Sequence, residues 1–307
     1  MSSKTYFGVD VAKASLDYHG PGLQGQIPND PVAQRRFLAR LPKQAHLICE
    51  ASGGYERTLV AMAHKAGIAI SVVNPRQVRD FARGLGRLAK TDSIDAATLA
   101  QFGQHIEPAP DPIPSSTQVA LVELVTVRQQ LVEERTVVLQ QCSSQTLKLS
   151  RSLTQARLKF LDQQIKKLQS AITALLKQEE AFEQKAQRLA QVQGVGSITA
   201  ATCLALCPEL GSLSKCQVAA LVGVAPFNDD SGPRRGQRHI AGGRARLRSA
   251  LYMAALSAIR FNPVLRRFYQ NLRLRNKPAK VALTAVIRKL AILLNHLLKN
   301  PSFQLSK

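Results

Sequence analysis

Short apolar blocks open the chain. Residues 5–10 (TYFGVD), 46–50 (HLICE) and 68–73 (IAISVV) are dominated by apolar and β-branched side chains and bounded by polar or glycine-rich stretches, which predicts buried strands. Between the last two, residues 55–66 read as an amphipathic helix, so strand, helix and strand form a parallel pair with a crossover. Residues 16–18 and 23–27, joined by HGPG, supply an antiparallel hairpin after the first strand and make the sheet mixed. That order is the order of a ribonuclease H-like fold.

Prolines at 108, 110, 112 and 114 forbid a helix through EPAPDPIP, which reads as a linker. Residues 117–191 hold neither Pro nor Gly and predict two long helices with a turn near 142–152. In the second helix Leu158, Leu161, Ile165, Leu168, Ile172 and Leu175 alternate at spacings of three and four, with a break at Glu179. The seam predicts a coiled coil, within one chain or between chains; oligomerisation, as a homodimer or homotetramer, is the expectation. From residue 188 an apolar helix end, Gly194-Val-Gly196 and a helix of small residues resemble a helix-hairpin-helix, whose turn offers backbone N–H groups to a phosphate. A plain turn between helices uses similar residues. The fold class is therefore α/β plus all-α, in three parts: 1–110 catalytic, 111–190 linker and coiled coil, 191–307 a basic helical domain.

Charge narrows the partner. The chain carries 42 Lys and Arg against 20 Asp and Glu, a net +22 with a pI of about 10.4. A polyanion neutralises such an excess, which puts nucleic acid first. The three parts hold +4, +3 and +15 in turn, so the C-terminal third carries most of the affinity. No run reaches the roughly 18 uninterrupted apolar residues of a membrane span, and MSSKTYFGVD lacks a signal-peptide profile. A soluble protein of the bacterial cytoplasm or nucleoid, with no membrane partner, is expected. The five cysteines are odd in number and form no CxxC pair, which disfavours disulfides and structural zinc.

Four carboxylates suggest chemistry. Asp10 ends one strand in GVDVAK, Glu50 ends another in LICEASGG, and Asp92 and Asp95 in KTDSIDA share one helical face at i,i+3, roughly 5–6 Å apart. Mg²⁺ requires oxygen ligands, and two ions about 3.5–4 Å apart activate an attacking oxygen and stabilise the leaving one at a phosphodiester. Phosphoryl transfer with one Mg²⁺ ion or two is the implied class. Singly, each acid has a plain alternative as a turn acceptor or helix cap. Arg76, Arg79, Arg83, Arg87 and Lys90 lead into Asp92 at three- and four-residue spacing, as a nucleic-acid backbone path beside the metal or as a solvated helix face.

A second constellation lies at 221–255. Ser231-Gly232 sits in a polar Gly- and Pro-rich loop with Arg234, Arg235 and Arg238, followed by Gly242-Gly243 and by Arg244, Arg246 and Arg248. Positive charge favours a serine alkoxide, and arginines polarise a scissile phosphate. Ser-Gly is also a common turn, and His239 is either a base or an exposed loop residue.

Together GVDVAK, CEASGGYE, KTDSIDA and GVAPFNDDSGPRRGQRHIAGGRARLRSALYMAA resemble, in order and over nearly the whole chain, the DEDD transposases of the insertion-sequence-110 family, now viewed as RNA-guided recombinases. The resemblance implies a RuvC-like N-terminal domain, a coiled-coil connector and a C-terminal transposase domain. It implies Asp10, Glu50, Asp92 and Asp95 as metal ligands and Ser231 as the nucleophile that links covalently to DNA. It also implies a structured noncoding guide RNA that pairs with target and donor DNA, and an acidic site of one subunit set against the serine of another. Many relatives carry Ile-Ser where this chain has Ile240-Ala241, so Ser231 is the serine of this loop that fits. Two rivals stand beside this reading: a Holliday-junction-type nuclease with water as nucleophile, and a non-catalytic basic nucleic-acid-binding protein.

Overall fold

The computed structural model describes residues 4–86, 92–232 and 234–305, with the backbone alone at 92–94, 234 and 235. The chain divides into two compact units, Met1–Ile113 and Pro114–Lys307.

The first unit runs β1 (Thr5–Val11), β2 (Ser15–Gly20), β3 (Leu23–Pro28), α1 (Pro31–Ala39), β4 (Ala45–Glu50), α2 (Arg57–Lys65), β5 (Ala69–Val73), α3 (Pro75–Gly84) and α4 (Asp92–Ile106). Its sheet has the order β3-β2-β1-β4-β5, antiparallel among the first three strands and parallel from β1 to β5. This is the mixed sheet that the apolar blocks predict, consistent with a ribonuclease H-like domain. Strand alternation gives it two buried faces. Phe7, Val9, Val11, Leu47, Cys49 and Ile70 pack with Phe37 and Leu38 of α1 and Leu59 and Ala63 of α2. On the other face Tyr6, Ile48 and Val73 meet Val78 of α3 and Leu99 and Phe102 of α4.

The proline-rich stretch is a correction to the linker reading at its first residues. The Asp111 N–H donates to the Ile70 carbonyl at 2.8 Å, the Val72 N–H donates to the Asp111 carboxylate at 2.8 Å, and the Ser71 hydroxyl donates to the Ala109 carbonyl at 2.8 Å. Residues 109–111 thus run along the edge of β5 without forming a strand, and the prolines beside them lack the N–H donors that a ladder needs.

The second unit runs α5 (Ser116–Ser144), α6 (Lys148–Gln178), α7 (Glu180–Ala190), α8 (Ser197–Leu206), α9 (Lys215–Val222), four two-residue strands β6 (Pro226–Phe227), β7 (Asp230–Ser231), β8 (Arg234–Arg235) and β9 (His239–Ile240), then α10 (Ala245–Phe261), α11 (Pro263–Leu274) and α12 (Ala279–Lys299). The expected break falls at Glu179. Helices α5 and α6 form a hairpin crossed by ion pairs of Arg135 with Asp162 at 2.6 Å and Arg157 with Glu134 at 2.8 Å. Leu161, Ile165 and Ile172 of the seam are buried together with Leu176. Helix α6 packs on α5 of the same chain, so the buried part of the seam meets a partner within one molecule. Helix α12 has the length and apolarity of a membrane span, yet Leu283, Val286, Ile287, Leu290 and Leu294 form the centre of this unit's core.

Candidate active site

Glycines decide how α4 meets the sheet. A methyl group on Gly8 would overlap the Ala96 carbonyl oxygen and lie 2.7 Å from the Leu99 Cβ, while one on Gly103 would lie 2.7 Å from Ile48 and 2.8 Å from Tyr6. Helix α4 therefore crosses β1 and β4 in the opposite direction to the strands, its first turns over their C-terminal ends. Tyr6, Gly8 and Asp10 share one face of β1, and Ile48 and Glu50 share the same face of β4. Asp10 and Glu50 thus stand on the sheet face that α4 crosses, toward the strand ends over which its first turns, with Asp95, pass. The backbone of Asp92 lies one turn earlier in that helix; its side chain, like Arg87 and Lys90, falls outside the described residues.

Register adds an acid that the sequence reading passed over. Asp17 of β2 pairs directly with Asp10 and so faces the same side, where it accepts from the Gln26 amide at 3.0 Å. Strand parity in SLDYHG, with Leu16 and Tyr18 in the opposite core, was the available signal. Like charges placed opposite each other repel. Asp10, Asp17, Glu50 and Asp95 all offer carboxylate oxygens, the donors a hard cation takes. Among the described residues no group of three or more His, Cys, Asp or Glu side chains stands close enough to hold a metal ion.

The loops that follow the strand ends are held by side chains that sequence reasoning did not single out. The Glu56 carboxylate accepts from the Ser52 hydroxyl at 2.7 Å, the Gly54 N–H at 2.9 Å and the Ser52 N–H at 3.1 Å. Burial raises its pKa, but these hydrogen bonds outweigh burial and hold it below the usual value. Gly53 and Gly54, at φ of 77° and 118°, allow the chain to wrap around that carboxylate. Asn29 donates to the Ala12 carbonyl at 2.8 Å and accepts from the buried Gln34 amide at 2.6 Å, anchoring the chain just after β1. Arg76, Arg79 and Arg83 lie exposed on one face of α3, with Arg83 3.7 Å from Asp80.

The serine loop is a two-tier ribbon. Pro226 and Phe227 pair with Ile240 and His239, and Asp230 and Ser231 pair with Arg235 and Arg234. Ser231 is exposed at the tip, directly opposite Arg234, where Gly232 turns at a φ of 56°. At the base, a methyl group on Gly243 would overlap the Gly223 backbone, 2.3 Å from its nitrogen, and the Arg244 N–H donates to the Leu221 carbonyl at 2.7 Å. Both ends of the ribbon are thereby clamped to the end of α9.

The arginines divide by what they touch. Arg244 grips Glu209 through two hydrogen bonds, at 2.6 and 2.8 Å, and donates to the Leu206 carbonyl at 2.8 Å. Arg248 donates to the Gly242 and Val222 carbonyls at 2.8 and 3.0 Å. These two expected phosphate ligands are brace residues of the ribbon base. Arg246 reaches Thr126 at 3.4 Å, and Arg238 stands 3.8 Å from Asp230. The side chains of Arg234 and Arg235 are outside the described residues. Gly194 has a packing explanation too: at a φ of 104°, a methyl group there would meet the Ala258 backbone of α10 at 2.6 Å. Gly196 is different, exposed and open at the start of α8. Cys203 and Cys207 are buried on α8, their thiols pushed up to about 12 chiefly by burial, and act in packing.

Residues 7–151 match the family model of the IS110 DEDD transposase, and residues 186–270 match that of the transposase IS116/IS110/IS902 family. Two pilin gene-inverting proteins, from Moraxella lacunata and Moraxella bovis, are each 29% identical to this chain over 310 residues, covering 94% of both sequences.

Proposed function

Because the chain belongs to the IS110 family of transposases and is a DNA transposase or recombinase, we propose that it cuts and rejoins DNA through Ser231, with Mg²⁺ held by Asp10, Glu50, Asp92 and Asp95. The observation that supports this reading is the close approach of α4 to β1 through Gly8, which lays the helix that begins with Asp92 and Asp95 across the sheet face that carries Asp10 and Glu50. Bound there, one or two Mg²⁺ ions supply Lewis-acid stabilisation of charge on the phosphate oxygens. The Ser231 hydroxyl attacks phosphorus and gives up its proton as the Oγ–P bond forms, while one P–O bond of the phosphodiester breaks and its oxygen takes a proton and leaves as a free DNA hydroxyl. Arg234, Arg235, Arg238 and Arg246 hold the phosphate, and Arg76, Arg79, Arg83, Arg87 and Lys90 track the backbone. Gly196 offers an open helix start to a further phosphate.

The name of the relatives, pilin gene-inverting protein, supports DNA recombination as the reaction, and the substrates read here are element ends and target DNA. A structured noncoding RNA guides the choice of site by base pairing, while the protein contacts backbone and shape. The working form is a homodimer or homotetramer in the bacterial cytoplasm.

The test is a denaturing gel of labelled element-end and target DNA incubated with Mg²⁺ and protein copurified with its cellular RNA. A covalent protein–DNA adduct that Ser231→Ala abolishes is the expected result. Mg²⁺-dependent cleavage without an adduct, unchanged in the variant, transfers the attack to water. Asp10→Ala should abolish strand exchange while leaving RNA binding largely intact; full exchange by that variant would remove the metal assignment.

A further inference from the structure

From Ser231 to the end of the chain there is no Asp or Glu, while seventeen Lys and Arg occur in the same stretch. Such a segment has few ways to neutralise itself. Some of its cations are bound inside the fold, as Arg244 is on Glu209 and Arg248 on backbone carbonyls. Helix α11 and the turn after it are the opposite case. Leu265 is buried and Phe268 and Tyr269 pack against the core, with the Lys289 ammonium 4.3 Å above the Phe268 ring. The outer side carries Arg266, Arg267, Arg273, Arg275, Lys277 and Lys280, all exposed. Arg266 and Arg273 donate only to nearby backbone carbonyls. Among the described residues the side chains of Arg267, Arg275, Lys277 and Lys280 form no ion pair and no hydrogen bond.

We infer that α11 and the α11–α12 turn form a second nucleic-acid surface, separate from the serine ribbon, which binds the backbone of duplex DNA without reading its sequence. The inference rests on the transposase reading for its choice of polyanion. Its physical basis is charge complementarity. A helix of 12 residues spans roughly 18 Å, the length of about five phosphates along one strand, and each cation that neutralises a phosphate releases a counterion. Lys and Arg held on a packed helix meet that polymer at little ordering cost to the backbone. Gln270 and Asn271 are exposed on the same helix, but the role argued for the cations is grip and register, because a charge that meets a phosphate carries no sequence information.

The test replaces the four unbonded cations together, R267Q/R275Q/K277Q/K280Q, in the full chain. Binding to a random-sequence DNA duplex of about 30 base pairs is measured against salt, beside an RNA hairpin and vesicles of anionic phospholipid. The expected result is a fall of about 3 to 4 in the slope of log affinity against log salt for DNA, from roughly 0.9 per phosphate contact. An unchanged DNA slope, or a loss confined to the RNA or the vesicles, overturns the inference. If the four changes lower the melting temperature, R275Q/K277Q, confined to the turn, should lower the slope by about 2. The serine chemistry is read on the adduct gel and this surface on the salt slope, so failure of the α11 surface and failure of the serine chemistry are distinguished.

Discussion

At the scale of single residues, two positions show how the acidic end of the sheet is made. Gly8→Ala places a methyl group into the Ala96 carbonyl, and because that obstacle is helix backbone, α4 must move. The expected cost is about 1–3 kcal/mol of stability in denaturant unfolding, with loss of Mg²⁺-dependent strand cleavage on the gel. Glu56 makes a pH prediction. Its folded pKa is lowered, so its contribution is present above the unfolded value near 4.5 and disappears as pH falls through the folded one. Glu56→Gln should destabilise by about 1–2 kcal/mol at pH 7, and melting curves of variant and wild type should converge in acid. Asp10 and Glu50 were legible as strand-end acids because their signal is local. Gly8 was not, since its reason stands about ninety residues away in Ala96. Glu56 and Asp17 needed, respectively, the fold of a loop and the register of a hairpin.

At the scale of elements, the ribbon depends on its clamps. Arg244→Ala removes a two-pronged ion pair and a carbonyl bond, and leaves Glu209 without that partner. The Arg244 and Glu209 side chains remain 40% and 34% exposed, so solvent screening keeps the expected cost to about 1–2 kcal/mol. Amide hydrogen exchange should quicken through the ribbon, while DNA binding measured by salt slope changes little because this guanidinium is already bound within the fold. A salt slope that drops as far as in a variant of Arg234 and Arg235 would return Arg244 to the nucleic-acid surface. The run of arginines was plain in the sequence. Which of them brace the fold was not, because the Leu206 carbonyl and Glu209 come from the end of α8 and the turn after it. The seam of α6 carries the same lesson: its period was readable, its partner was not.

At the scale of the whole molecule, two units hold separate cores, strands with α1 to α4 in one and α5 to α12 in the other. Calorimetry should therefore resolve two transitions, with Gly8→Ala lowering one and Arg244→Ala the other; a single transition shifted by both would contradict the division. The amino-acid order alone determined the strand–helix–strand start, the long helices, the acids at strand ends and the concentration of charge in the last third. Each of these follows from local periodicity or side-chain chemistry, which acts over a few residues. Tertiary structure alone decided the direction of α4, the closing of the α6 seam within one chain, the use of Gly194 for packing and the sorting of arginines into braces and exposed cations. Those outcomes depend on which distant backbone or side chain arrives alongside, and neither spacing nor charge along the chain encodes that arrival.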